Sequence, residues 1–173
     1  MLFYSQRYEN YRDLPHYTGN KFKDELMSNA KLLAAPGKGI LASDESTGTI
    51  GNRFSQIDVE NTHENRIAYR ELLFKTPDLE KYISGAILYD ETARDKASCG
   101  TPLTKILTDK GILVGMKVDT GMVIIEGTND ESATQGLDGL GKRCQEYYKM
   151  GVRFAKWRAV IKIGDGCPSE VAI

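Results

Sequence analysis

Histidine is scarce in this chain: His16 and His63 are the only two in 173 residues. There are three cysteines, Cys99, Cys144 and Cys167, and none lies in a C-x-x-C pair. A Cys/His zinc site is therefore not expected. An odd count at wide spacing is also a poor disulfide framework, so reduced thiols are the expectation. Excess charge is missing too. The formal net charge is −1, which argues against a dedicated nucleic-acid binder, whose footprint is basic. Such a balance still leaves room for a local cluster of positive charge inside a cleft. No apolar run approaches the ~20 residues of a membrane span. Asn-x-Ser/Thr sequons are absent, and Met1-Leu2-Phe3-Tyr4-Ser5-Gln6-Arg7 lacks the apolar core of a signal peptide. A cytoplasmic location is the expectation. Neither a fine internal repeat nor a low-complexity linker suggests a second domain.

What is present is an ordinary globular balance, 40% hydrophobic and 27% charged, enough for one domain or part of a larger one. Residues 1 to 19 have no clear period and read as an N-terminal extension. After Asn20, Phe22, Leu26, Ala30 and Leu33 repeat at helical spacing, and Pro36-Gly37 ends that helix. Gly39-Ile40-Leu41-Ala42 reads as a buried strand opening into a polar loop, Ser43 to Thr49. Asn61 with Glu64 resembles a capping box, which predicts a helix over 62–75. Residues 83 to 89 form the next apolar run, ending in Asp90-Glu91-Thr92. Thr101-Pro102 starts a helix with Leu103, Ile106 and Leu107 buried, and Gly111 stops it. Residues 112 to 118 make a third strand, and 120 to 138 read mostly as a long loop. A helix over 139–150 buries Leu140, Cys144 and Tyr147; residues 152 to 163 supply a fourth strand; Pro168-Ser169-Glu170 looks like the start of another helix.

Strands alternating with helices imply parallel pairing and right-handed crossovers. Two α/β architectures compete, a doubly wound open sheet and a (β/α)8 TIM barrel. A full barrel takes about 250 residues, so four strands in this length would be half of one. Alternation along a strand decides which side chains share a face. Lys117 shares one with Asp119, Lys156 with Arg158, and Ile40 and Ala42 with Asp44. If Val118 and Trp157 meet the helices, then Lys117, Lys156 and Arg158 point inward, near the strand ends where barrels carry their active sites. Converging positive charges are costly unless an anion visits. A lone strand lysine is commonly a solvated edge residue, but three basic residues with Asp44 on another strand end are harder to explain that way. Gly37-Lys38-Gly39 lacks the full Walker A pattern and suits a helix-to-strand turn. The hydroxyls of Ser46 and Thr49 suit either a phosphate contact or a plain solvent loop. Glu91 reads either as a catalytic group or as a carboxylate bound to a helix N-terminus.

The segment Ala35-Pro36-Gly37-Lys38-Gly39-Ile40-Leu41-Ala42-Ser43-Asp44-Glu45-Ser46-Thr47-Gly48-Thr49-Ile50 closely resembles the first barrel strand of eukaryotic-type class I fructose-bisphosphate aldolases. Val59-Glu60-Asn61-Thr62, Glu64-Asn65-Arg66, Gly115-Met116-Lys117-Val118-Asp119, Thr134-Gln135-Gly136-Leu137-Asp138-Gly139-Leu140 and Phe154-Ala155-Lys156-Trp157-Arg158 continue the resemblance. It covers residues 22 to 173 and implies a (β/α)8 barrel, residues 20 to 173 being its N-terminal half. The implied reaction is reversible cleavage of fructose 1,6-bisphosphate to dihydroxyacetone phosphate and glyceraldehyde 3-phosphate, in glycolysis and gluconeogenesis. The implied chemistry is a lysine Schiff base with no metal and no cofactor, in a homotetramer; cytoskeletal partners are known in the family. By position, Asp44 resembles the aspartate that contacts the substrate hydroxyl involved in carbon–carbon cleavage. Ser46 and Thr49 stand where hydroxyls approach a phosphate. Lys117, Lys156 and Arg158 resemble the basic substrate-binding residues, with Lys156 near the imine. The imine-forming lysine, the acid/base glutamate pair and a second phosphate site would all lie beyond residue 173. Ser43, Met116 and Thr120 are mild departures from alanine, isoleucine and lysine. Two other readings stay open: a non-catalytic half-barrel serving as an interaction or scaffolding module, and another Schiff-base barrel such as a transaldolase, which fits the charges but not the long motifs.

Overall fold

In the computed structural model the described residues are 21–173; the N-terminal extension lies outside them. Four strands form one parallel sheet. In sheet order they are β1 (Gly39–Ser43), β2 (Ile83–Leu88), β3 (Leu113–Lys117) and, after an intervening hairpin, β6 (Val152–Lys156). Helix α1 (Lys23–Leu33) precedes β1. Between β1 and β2 run α2 (Thr47–Phe54), a short 3-10 turn (Ser55–Ile57), α3 (His63–Phe74) and α4 (Leu79–Tyr82). Helices α5 (Asp90–Arg94) and α6 (Leu103–Asp109) link β2 to β3, and α7 (Leu140–Lys149) leads into β6.

The predicted strand–helix alternation is therefore present, with five departures. The polar stretch after Ser43 does not stay a loop. Ser46 caps α2, its hydroxyl accepting from the Thr49 N–H at 3.3 Å, and Ile50 and Phe54, four apart, bury one face. Thr62 rather than Asn61 caps α3, accepting from Asn65 N–H at 3.2 Å, while the Asn61 amide donates to the Thr47 carbonyl. Residues 120–138 contain an antiparallel hairpin, β4 (Gly121–Ile124) with β5 (Ser132–Gln135). Its apolar run Met122-Val123-Ile124 pairs across a Thr128-Asn129-Asp130 turn, where Asp130 takes a left-handed φ of 51°. The fourth parallel strand stops at Lys156, since the residues after it leave the ladder for the hairpin, Thr134 donating to the Arg158 carbonyl at 2.8 Å. The segment after Pro168 makes turns and no helix.

The core lies on one face of the sheet. Ala86, Leu88, Val114, Met116, Val118 and Val152 pack there against Phe74, Leu103, Leu107 and Tyr147 of the helices, with Trp157 set against the same cluster. A register shift at the start of β6, where Val114 opposes Val152 but Gly115 opposes Phe154, turns Val152 to the core and Phe154 and Lys156 to the other face. On that second face Phe154 lies over Gly85 and Gly115, and Leu33 of α1 reaches Gly85. A flat sheet would hold β1 and β6, three strand spacings apart, at roughly 14 Å. Yet Lys156 at the end of β6 meets Asp44 at the end of β1 at 2.7 Å. The sheet must therefore curl, with this second face concave, which is barrel curvature rather than that of an open doubly wound sheet.

Candidate active site

All four parallel strands end on one rim, and a cleft of about 600 Å³ opens there. Asp44, Ser46, Thr49, Lys117, Lys156 and Arg158 all line it. Each arrives by a simple route. Asp44 follows the last residue of β1, Lys117 and Lys156 are the last residues of β3 and β6, and Arg158 lies two residues on. Ser46 and Thr49 sit in the first turn of α2, their hydroxyls 3.0 Å apart. A helix N-terminus carries a partial positive charge, and this one stands at the cleft wall.

The charges divide into held and available ones. Lys156 donates to Asp44 Oδ2 at 2.7 Å, tying the two outer strands across the concave face. Lys117 donates to Asp119 Oδ1 at 2.8 Å and to the Asp119 carbonyl at 2.9 Å. Asp119 is buried, and burial pushes its carboxyl up. The Lys117 ammonium, helped by the N–H groups of Arg158 and Gly121, outweighs that and leaves it below the ordinary carboxylate value. The Arg158 guanidinium makes no hydrogen bond or ion pair among the described residues. An uncompensated guanidinium lining the same cleft as a helix N-terminus and two hydroxyls is an arrangement suited to an oxyanion such as phosphate.

Sequence reading missed part of the wall. Glu45, Tyr89, Asp90, Asp119, Arg143 and Tyr147 also line the cleft. Asp90 was within reach, since it directly follows the apolar run of β2, and barrel sites collect at such ends. Tyr147 reads as a core residue and is one, yet its hydroxyl donates to Asp90 Oδ1 at 2.9 Å. Burial, then Asp90, raises the Tyr147 hydroxyl, while Arg94 chiefly lowers the Asp90 carboxyl. Arg143 is spent on the carbonyls of Val118 and Gly136.

Glu91 stands in the first turn of α5, as the helix N-terminus reading expects. It lies in α5 outside this lining, and Arg66 clamps both its oxygens, at 2.7 and 2.8 Å, which lowers its carboxyl. With His63 and Asp95 it forms the described cluster whose donor atoms, within 4.8 Å of one another, could hold a metal ion. His63 Nε2 lies 3.0 Å from both Asp95 oxygens, and Arg66 holds Glu91, so each of the three side chains already has a hydrogen-bond partner.

Comparison with known proteins agrees with this geometry. The profile of the family fructose-bisphosphate aldolase class-I matches residues 25–173. The cytoplasmic isozyme 1 of fructose-bisphosphate aldolase from Pisum sativum is 57% identical over 153 residues, which are 88% of this chain and 43% of that protein. The cytosolic fructose-bisphosphate aldolase 5 of Arabidopsis thaliana is 58% identical over 153 residues, with the same coverage. A solved structure of fructose-bisphosphate aldolase from Plasmodium falciparum, in complex with TRAP and a small molecule inhibitor, superposes with a TM-score of 0.86 at 51% identity, over 88% of this chain and 45% of that one. This chain thus spans less than half the length of the relatives it matches. Matching motifs, a curled parallel sheet and this coverage lead to one family: the chain belongs to the class I fructose-bisphosphate aldolases.

Proposed function

We propose that this rim is the N-terminal half of an aldolase site that cleaves fructose 1,6-bisphosphate reversibly through a lysine imine. The supporting observation is the single cleft shared by Asp44, Ser46, Thr49, Lys117, Lys156 and Arg158. In this reading the α2 N-terminus, Ser46, Thr49 and the unpaired Arg158 guanidinium hold phosphate, with Lys117 adding charge. Fixing the phosphates positions the reacting carbon–carbon bond. Asp44 takes the proton of the substrate hydroxyl whose carbon becomes the aldehyde. Its neighbour Lys156 supplies positive charge that favours a neutral, nucleophilic amine on the imine-forming lysine. A protonated imine is a better electron sink than the ketone, so electrons left by bond cleavage are delocalised into it.

The imine lysine, the acid/base glutamates and the second phosphate site belong, by family position, to sequence beyond residue 173. Residues 1–173 alone therefore bind sugar bisphosphate weakly and do not turn it over. The complete protein acts in the cytoplasm as a homotetramer without metal or cofactor; the relatives named cytosolic or cytoplasmic support the location. The Plasmodium relative's complex with TRAP supports a second reading, in which the half-barrel serves partner binding instead. Calorimetric titration with fructose 1,6-bisphosphate at low and high salt tests the first. Arg158→Ala should weaken binding roughly tenfold, the loss of one charge-assisted phosphate contact, and salt should weaken the wild type. Equal affinity in the variant would sink the assignment. Borohydride reduction with dihydroxyacetone phosphate should label no lysine of residues 1–173. Stoichiometric trapping at Lys156 would instead make that residue the nucleophile.

A further inference from the structure

We propose that Arg70 is a positioning residue that locks the turn carrying Asp44 and Ser46 onto the cleft. Its functional meaning rests on the aldolase reading above. Arg70 sits within α3 and is only 2% exposed. A buried guanidinium carries a desolvation cost that must be offset by well-placed partners. Two of its contacts grip a single residue from two sides. Nη1 donates to the Glu45 carboxylate and Nη2 to the Glu45 backbone carbonyl at 2.9 Å. Its Nε donates to the Thr92 hydroxyl at 3.3 Å, in the short helix after β2. Arg53 of α2 closes on the same carboxylate from outside.

Holding both the carbonyl and the side chain of Glu45 removes its freedom to rotate. Glu45 stands between Asp44, which pairs with Lys156, and Ser46, which caps α2. One buried side chain therefore links the end of β1 to the end of β2 and orients two cleft residues it never touches. Packing alone does not call for an arginine here, because an apolar side chain would fill the space without desolvating a charge. An apolar residue could not hold a carbonyl and a carboxylate together.

Three measurements on the chain test this: amide hydrogen exchange over residues 44–50, the side-chain ammonium resonance of Lys156, and titration with fructose 1,6-bisphosphate. Arg70→Lys keeps the charge but not the fork. In this variant, exchange over 44–50 should accelerate at least about tenfold through local opening, while β2 and β3 exchange as in the wild type. The Lys156 resonance should shift as its pairing with Asp44 loosens, and bisphosphate affinity should fall several-fold. If Arg70→Lys fails to fold, Glu45→Gln, which weakens the same grip from the other side, should show the same local pattern. Wild-type exchange over 44–50 in a folded variant would overturn the proposal. So would uniform acceleration across the sheet, the mark of a merely structural role. The Arg158→Ala control separates the two readings. Equal binding by wild type and Arg158→Ala removes the sugar-bisphosphate assignment, while exchange and the Lys156 resonance still decide the role of Arg70.

Discussion

Glu71 shows how local bonding sets a single ionisation. Its carboxylate accepts from the Lys75 ammonium one helical turn on, and from the N–H and hydroxyl of Ser98 at 3.0 and 2.8 Å. The Lys75 bond first, then the two from Ser98, hold its carboxyl down to about 2. The folded value thus lies below the unfolded one of about 4.3. Such a group stabilises the fold fully above the unfolded value and loses that contribution as pH falls through the folded one. Urea unfolding of wild type and Glu71→Gln should therefore differ by a constant amount above about pH 5, with the gap closing as pH drops toward 2. A gap independent of pH would show that the carboxylate's charge is not what matters. At the start of α3, Thr62→Ala removes the cap and should cost about 1 kcal/mol in chemical denaturation. The same change at Asn61 tests whether its amide bond to the Thr47 carbonyl matters comparably.

Packing on the concave face is tight where the Phe154 ring of β6 lies over the glycines of its neighbours β3 and β2. A Cβ added at Gly115 would lie only 2.3 Å from atoms of the Phe154 ring, and one at Gly85 would meet both that ring and Leu33. Neither glycine is needed for an unusual backbone angle; each is needed for room. Gly115→Ala should destabilise by about 1–3 kcal/mol through overpacking. Adding Phe154→Leu should recover much of that, because the smaller side chain vacates the contested space. Thermal melts of the two single variants and the double variant measure the coupling, and strict additivity would refute the steric account. The same contact explains the division of the concave face. Apolar Phe154 and Leu33 fill it toward the strand starts, leaving the charged groups at the ends where the cleft opens.

Across the whole molecule, curvature is present without closure. Among the described residues β1 and β6 each pair on one side only, and the concave face leaves Ile40 45% exposed. Exposed edges and one-sided parallel strands invite association. The 173-residue polypeptide should elute in size-exclusion chromatography well above the size of one chain. Ile40→Lys, an inward-facing charge on the edge strand, should shift it toward monomer while the circular dichroism spectrum is kept. A well-behaved wild-type monomer would show that the edges are protected in solution.

The alternation of the four main strands with helices, their parallel pairing and the shared side of Lys117 and Lys156 were legible from the sequence alone. Those features follow from local periodicity: Lys117 and Lys156 stand two positions from Gly115 and Phe154 on the same strand faces, and alternation has only two faces to offer, whereas Arg158 reaches the cleft from beyond the end of β6. The β4–β5 hairpin was not legible, because Met122 to Ile124 is apolar yet left largely exposed, so burial gives it no clear signature. Nor was the end of β6, where residues 157–163 are apolar enough to continue a strand but are drawn to the hairpin. The partners of each charge were decided by tertiary structure. Nothing within reach of Asp44 along the chain says that Lys156, 112 residues on, will meet it, or that Arg70 rather than solvent will hold Glu45. Local spacing chooses the face a side chain takes, while which other side chain stands opposite depends on how far the sheet curls.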